Sequence, residues 1–428
     1  MDETGLDGRR RAVIWLAGAT RAACGGMLTT ALALVVGRMQ SPLAVSSLAV
    51  VFFASTMIFA PLWGSLADTT GRRRALLVGT GIAATLVLVG LQFISSAWGY
   101  IAARGAYTVF AVGFAPVILA IVNDVTGYTT QGRSAGLVNR TFAVGDIGGQ
   151  IAIGALLGLA VPSVAFAIIA GVSFLGTAAV ALIHDSPPVA TNGGLRRGLK
   201  RLFPSATEWR VLRRTGLDRL YAALVLRHIA VQGIGVLVPI YVVSRLDVTA
   251  STMGLLLAVS PTTQLATLPF IGKIADAGYR VRLLGGGIAA SAAYPLALAL
   301  AAMPKAVEFR LSLAVVGFVC LAVGFAAMDV GAVAVISAVV PRRRTATFLG
   351  LRATAMGLGG IIGSVLVGVV ALMASIRVAF IVGSLPAFGA ALLVMSSVSE
   401  PDDDGETPLL NAVEPVFANT RLPGLWWR

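Results

Sequence analysis

Two cysteines and two histidines in 428 residues leave no basis for a disulfide framework or a Cys/His zinc site. Cys24 and Cys320 fall in apolar blocks with no metal-ligand spacing, so they read as small packing residues, and no metal or other cofactor is expected. Charge is scarce too: 12% of residues are charged, against about 25% in a soluble globular domain. That excludes a cytosolic enzyme of ordinary composition. The chain also lacks an HExxH pair, a nucleophile elbow, a paired acidic metal motif and a GxxxxGK[ST] loop, so neither an enzyme nor an ATP-driven pump is expected. What is plentiful is hydrocarbon. Hydrophobic residues make up 57% of the chain and come in long blocks separated by short polar stretches, the pattern of a protein that crosses a membrane many times.

A helix crosses the hydrocarbon with about 20 residues. That length fits twelve segments, at 12–37, 44–66, 75–96, 98–122, 135–160, 163–183, 219–243, 250–272, 283–303, 311–339, 346–373 and 378–397. Transmembrane barrel strands, shorter and alternating, are absent. Twelve spans put both termini on one side. The end segments and every second loop hold 24 of the 33 basic residues, the opposite loops only Arg38, Arg245, Lys305, Arg310 and Arg377. The bias places both termini in the cytoplasm of a cell that carries the protein in its plasma or inner membrane. The formal charge of +14 does not signal nucleic acid, because the arginines are dispersed among loops rather than gathered on one solvated face. The run after Arg9, Arg10 and Arg11 is too long for a signal-peptide core and lacks a small-residue cleavage site, so it reads as an uncleaved first span.

The chain repeats itself. PLWGSLAD at 61–68 matches PFIGKIAD at 269–276 with an offset of 208, and AVGFA at 111–115 recurs at 322–326 with an offset of 211. Arg21 and Arg227 are 206 apart, and NRTFAVGDIGG at 139–149 aligns with LRATAMGLGGI at 351–361, offset 212. Four matches in one order indicate a duplicated six-helix unit. The expected fold is therefore an all-α integral membrane protein with twelve helices in two pseudo-symmetric six-helix bundles, at 12–183 and 219–397, after a cytoplasmic N-terminus at 1–11. Between the bundles, residues 184–218 read either as a plain charged linker or as an amphipathic helix. In the second reading Leu195, Leu199, Leu202 and Phe203 lie on a membrane surface beside Arg196, Arg197, Lys200 and Arg201, and a Ser205–Glu208 capping box follows. Residues 398–428, with Asp402 to Asp404 and Glu406, read as a disordered cytoplasmic tail.

The turn after the second span reads Gly64-Ser-Leu-Ala-Asp68-Thr-Thr-Gly71-Arg72-Arg73-Arg74, and the second half carries a degenerate copy with Gly272, Asp276, Gly278, Arg280 and Arg282. With this turn, the span count, the repeat and the midpoint loop, the chain resembles the major facilitator superfamily over residues 9 to about 398. It departs at Thr69, where the family usually has a basic residue. In physical terms Gly64 permits close helix packing, Gly71 a tight reversal, and Asp68 a helix cap or an arginine pair. The resemblance implies that this loop is a cytoplasmic gate built from Gly64, Asp68, Gly71 and Arg72, and from Gly272, Asp276 and Arg280. Neutralising Asp68 is expected to stop flux, measured as uptake, while membrane abundance stays at the wild-type level.

Charges within spans are costly and mark function. Here they are Arg21 on span one, Arg104 on span four, Asp146 on span five, Arg227 and His228 on span seven, Asp329 on span ten and Arg352 on span eleven. Arg21 and Arg227 stand roughly 13 Å inside their helix ends, near the midplane, at equivalent positions of the repeat. The resemblance implies that spans one, four, seven and ten line a central cavity and that Arg104 occupies the place of an arginine common in proton-coupled exporters. The usual Gln-Gly after it is Thr108-Val109 here, and the Gly-Pro of an exporter motif on span five is missing beside Gly145, Asp146, Gly148 and Gly149. A carboxyl group out of water holds its proton more tightly and a nearby arginine loosens that hold, so Asp146 and Asp329 are the candidates for proton coupling. An excess of arginine would instead suit an anionic ligand. The chain is thus expected to be a secondary transporter, and the resemblance implies a proton-coupled exporter of small amphipathic compounds, with an organic-anion exchanger or importer using Arg21 and Arg227 as the alternative. A non-transporting membrane sensor is the reading from another class. The expected partners are a small-molecule substrate, protons and the lipid bilayer, with the protein a monomer and no nucleic acid bound.

Overall fold

The structure is a computed structural model describing residues 8–126, 131–159, 162–183, 209–210, 212–213, 216–340 and 345–398, excluding the side chains of residues 68, 123–126, 131–135, 159 and 345–347. The amphipathic run at 195–203, the Ser205–Glu208 box, Arg342 to Arg344, the tail after 398 and the side chain of Asp68 lie outside the described residues.

Among the described residues, eleven helices are long and apolar enough to cross a bilayer, and the pair Leu217–Gly235 and Val238–Arg245, bent by 49°, makes a twelfth. In order the spans are Gly8–Met39, Pro42–Thr70, Arg73–Gly90, Ala97–Ala111 continued by Phe114–Thr126, Gln131–Leu159, Pro162–Ala181, the bent pair, Ala250–Asp276, Arg280–Ala301, Val307–Val339, Thr345–Met373 and Ile376–Ser397. Two spans expected to be continuous are broken. Span seven breaks just before Pro239, which has no N–H to donate to the preceding turn. Span four breaks at Val112 and Gly113, where the Trp63 indole N–H of span two donates to the Val109 carbonyl and so enters the helical ladder. Spans four, eight and twelve start sharply because Ser96, Thr249 and Ser375 accept from the N–H groups of Gly99, Thr252 and Val378.

The repeat is visible in the backbone. Gly71 ends span two with φ 63° and donates its N–H to the Ala67 carbonyl, and Gly278 follows span eight with φ 91°. The next residues, Arg72 at φ −92°, ψ 59° and Tyr279 at φ −85°, ψ 46°, turn alike into spans three and nine. Both reversals need a left-handed residue, so any residue with a Cβ is strained there. Inside each bundle the fifth span leans on the first. Gly145 and Gly149 pack against the backbone of Ala19 and Ala23, and Gly359 and Gly363 against that of Val225 and Ile229. These pairs fix the offset between spans five and eleven at 214, two residues beyond the 212 read from the sequence, whereas 206 holds for spans one and seven. Without a hydrophobic drive between helices in lipid, such close backbone approach is the main source of packing.

The two halves meet at the end of the molecule remote from the termini. There span five touches span eight backbone to backbone: a Cβ on Gly154 would lie 2.8 Å from both the Ala250 carbonyl oxygen and the Gly254 Cα. On the opposite side of the pseudo-twofold axis Gly360 and Gly368 of span eleven receive Phe53 and Ser46 of span two. At the other end the halves part. Gly64 and Gly272 there face open space, with nothing within 4 Å of an added Cβ. The close packing expected of Gly64 is therefore not made in this conformation.

Candidate functional site

Between the halves lies a cavity of about 1400 Å³ that opens at the end where the termini and the arginine-rich turns are found. Its mouth carries Asn139, Arg140, Gly272 and Asp276, and its walls hold Arg21, Phe52, Arg104, Tyr107, Phe114, Asp146 and Gln150 from the first half. The second half contributes Ser260, Gln264, Tyr294, Phe318, Phe325 and Asp329. Four of the seven intramembrane residues singled out in the sequence, Arg21, Arg104, Asp146 and Asp329, thus share one chamber.

Arg104 is 5% exposed, with its guanidinium carbon 4.7 Å from the centre of the Phe52 ring. Its Nη2 donates to Thr29 Oγ1 at 3.0 Å, while Nη1 is buried with no hydrogen-bond partner. Leaving a charged donor unpaired out of water is costly. On the neighbouring wall Asp146 Oδ1 accepts from Gln150 Nε2 at 3.3 Å, and Gln150 Oε1 accepts from Thr30 Oγ1 at 3.0 Å. Adjacent threonines of span one therefore serve opposite charges, Thr29 the guanidinium and Thr30, through Gln150, the carboxylate. Among the described residues no arginine or lysine is paired with Asp146.

Asp329 differs. It forms an ion pair with Arg352 of span eleven. Arg352→Gln is expected to lower the melting temperature in detergent and Asp329→Asn to restore it, with a coupling in the double-mutant cycle of about 0.5–3 kcal/mol. A coupling near zero would mean that the pair does not tie spans ten and eleven.

Arg227 and His228 do not line the chamber. Arg227, 1% exposed, donates through Nε and Nη2 to Ser291 Oγ of span nine at 3.3 and 3.2 Å, and its Nη1 lies 3.4 Å from His228 Nδ1. Its guanidinium carbon is 5.4 Å from the centre of the Phe325 ring, which does line the chamber. In the first half Arg21 sits 5.9 Å from the ring centre of Phe114 and 5.2 Å from that of Tyr107. The two arginine–phenylalanine pairs are repeat copies, at offsets 206 and 211, but only the first reaches the cavity. Sequence reading missed Gln150, Thr29, Thr30, Gln264 and the aromatic wall. Gln150 had a signal, an amide four residues from Asp146 and so on the same helix face.

The sequence profile of the Major Facilitator Superfamily matches residues 14–249 and 220–426. The multi-drug resistance efflux pump PmrA of Streptococcus pneumoniae serotype 4 is 27% identical over 236 residues, 54% of this chain and 56% of that pump, so the chain spans little more than half the length of the curated relative it matches. Among solved structures, a mutant of the nucleoside transporter NupG superposes with a TM-score of 0.77 at 13% identity, covering 91% of this chain and 100% of that one. A bacterial homologue of the human lysosomal transporter Spinster, inward-facing and occupied, gives 0.68 at 14% identity over 91% of this chain and 95% of its own. At these identities the structures show a shared fold.

Proposed function

Because the chain belongs to the major facilitator superfamily, we propose that it is a secondary active transporter that works by alternating access and exports small amphipathic compounds in exchange for protons. The observation that carries this reading is the contrast between the two cavity carboxylates. Asp329 is neutralised by Arg352, whereas Asp146 faces the chamber with an amide as its partner, free to change its charge without breaking an ion pair. The aromatic walls, Phe52, Tyr107, Tyr294 and Phe318 among them, offer apolar contact of low specificity to a flat or lipophilic cargo. With the arginine-rich end in the cytoplasm, the conformation is inward-open, and transport requires the mouth at Gly64 and Gly272 to close as the Gly154–Gly254 seal opens.

A second reading rests on a separate observation. The buried, unpartnered Nη1 of Arg104, with Arg21 in the same chamber, is suited to a carboxylate or phosphate of the cargo, which would make the protein an organic-anion exchanger. In that case Arg21 and Arg104, rather than Arg21 and Arg227, hold the anion. Counterflow in proteoliposomes with cationic and anionic candidates, with and without a pH gradient, separates the two. Proton-driven movement of cations or neutral amphiphiles supports the first reading, and anion exchange indifferent to pH replaces it by the second.

A further inference from the structure

Span one carries Ala22, Gly25, Gly26 and Thr29 at spacings of three and four, so they share one helix face, and Ala22 and Gly25 line the chamber. The two opposite charges of the first half flank this face. A Cβ on Gly26 would lie 2.5 Å from Asp146 Oδ1 and 2.9 Å from Gln150 Nε2, so the bare glycine is what lets the carboxylate come up against span one. Thr29, one turn on, spends its own hydrogen on the Gly25 carbonyl at 2.7 Å and so turns a lone pair toward Arg104 Nη2. Between the two, Gly25 leaves the surface open, since a Cβ there would meet nothing within 4 Å.

Neither charge is neutralised. Among the described residues Arg104 has a hydroxyl and Asp146 an amide as hydrogen-bond partner, and one arm of the buried guanidinium has none. Cβ positions three residues apart on a helix are about 5–6 Å from each other, so with these reaches the guanidinium and the carboxylate stand roughly 6–12 Å apart. That is too far to pair and near enough for each to act on whatever binds at the other. A lone cation at Asp146 would be repelled by the bare guanidinium, and a lone anion at Arg104 by the carboxylate, in surroundings that screen charge poorly. A cargo with both charges meets neither penalty. Arg21 is no substitute for Arg104, because it stands eight residues, about 12 Å, from Thr29 along span one and its guanidinium lies against the Tyr107 and Phe114 rings.

We propose that the cargo is a small zwitterion, held over Gly25 with its carboxylate on Arg104 and its ammonium on Asp146. This rests on the reading of Asp146 as the group that exchanges protons: the ammonium takes the place of the proton there, and the orphaned guanidinium arm sets which ammonium compounds are accepted. The Phe52 ring, 4.7 Å from the Arg104 guanidinium carbon, adds an apolar surface beside the anionic end.

Calorimetric titration of the purified full-length protein in detergent at neutral pH tests the assignment with three flat probes of one shape. These are para-aminomethylbenzoate, which carries both charges, para-methylbenzylamine, which carries the positive one, and para-methylbenzoate, which carries the negative one. Wild type is expected to bind the zwitterion about 10- to 100-fold more tightly than either single-charge probe, the worth of one charge-assisted hydrogen bond. Arg104→Gln should bring the zwitterion down to the affinity of the amine while the amine binds at least as well as before. Asp146→Asn should bring it down to that of para-methylbenzoate, yet keep an acceptor for the ammonium, so that counterflow at saturating cargo continues. A misfolded variant would weaken all three probes alike. A wild type that binds the zwitterion no more tightly than the better single-charge probe, or an Arg104→Gln variant that keeps the full preference, would overturn the proposal. Proton-driven accumulation of the amine in either case would leave proton exchange standing and remove the zwitterion alone.

Discussion

Asp146→Asn is expected to lose pH-driven transport while keeping exchange. Asparagine preserves the acceptor that Gln150 contacts but cannot carry a proton, so the substrate chamber stays intact and the gradient is uncoupled from it. A carboxylate that couples must take up a proton while exposed on the acidic side and release it on the other. With one proton exchanged per cargo molecule, each unit of pH gradient supports about tenfold accumulation, roughly 1.4 kcal/mol. In proteoliposomes the wild-type accumulation ratio should follow the gradient. In the variant it should fall to about unity at every gradient, with counterflow at a comparable rate. Accumulation at the wild-type ratio would remove Asp146 from the coupling step. Asp329→Asn is the informative companion, since its ion pair with Arg352 already suits a structural role and should leave the gradient dependence in place.

The second large effect is expected at the seal remote from the termini. A methyl group on Gly154 would lie 2.8 Å from the backbone of span eight, and backbone has no rotamer by which to retreat. Gly154→Ala should therefore push spans five and eight apart, at about 1–3 kcal/mol for overpacking. The cost falls only on states in which this end is closed. It shifts the balance away from the conformation in which this end is closed by about 5- to 150-fold, and transport slows because the chamber no longer closes at that end. Gly148→Ala on the same helix is the control, because an added Cβ there meets nothing within 4 Å. Alkylation of a cysteine at Ala334, a residue of the inner chamber wall, reports the shift in a background without Cys24 and Cys320. Labelling should drop in Gly154→Ala and hold in Gly148→Ala; equal labelling in both would mean that the seal tolerates the methyl group.

Depth along the membrane normal is legible in a sequence of this kind; direction around a helix axis is much less so. Hydropathy located the spans because each must cover the same thickness with apolar residues, and the repeat was readable because both halves solve the same turn with a left-handed glycine, Gly71 and Gly278. Arg21 and Arg227 have the same depth and the same repeat position, yet one faces the cavity and the other Ser291. That difference depends on side chains from other spans, which no local pattern encodes. The Asp329–Arg352 pair was likewise hidden, as it joins two helices whose relative rotation is set by packing. The offset of spans five and eleven was misread by two residues because glycines recur too often along both strings to fix a register; only contact of Gly145 with Ala19 and of Gly359 with Val225 does so. The break in span seven had a visible cause in Pro239, although hydropathy alone runs smoothly through it.

The rocking of two halves about one chamber is tested most directly by distances between spin labels in a cysteine-free protein in liposomes. One pair, at Asn139 and Leu268, spans the mouth of the chamber, and the other, at Gln40 and Arg245, spans the opposite end. As the pH is lowered and cargo added, the first distance should shorten while the second lengthens, each losing population from one distance peak as it gains in another, and Asp146→Asn should suppress the response to pH. Two distances that stay fixed, or that change in the same direction, would contradict alternating access in this protein.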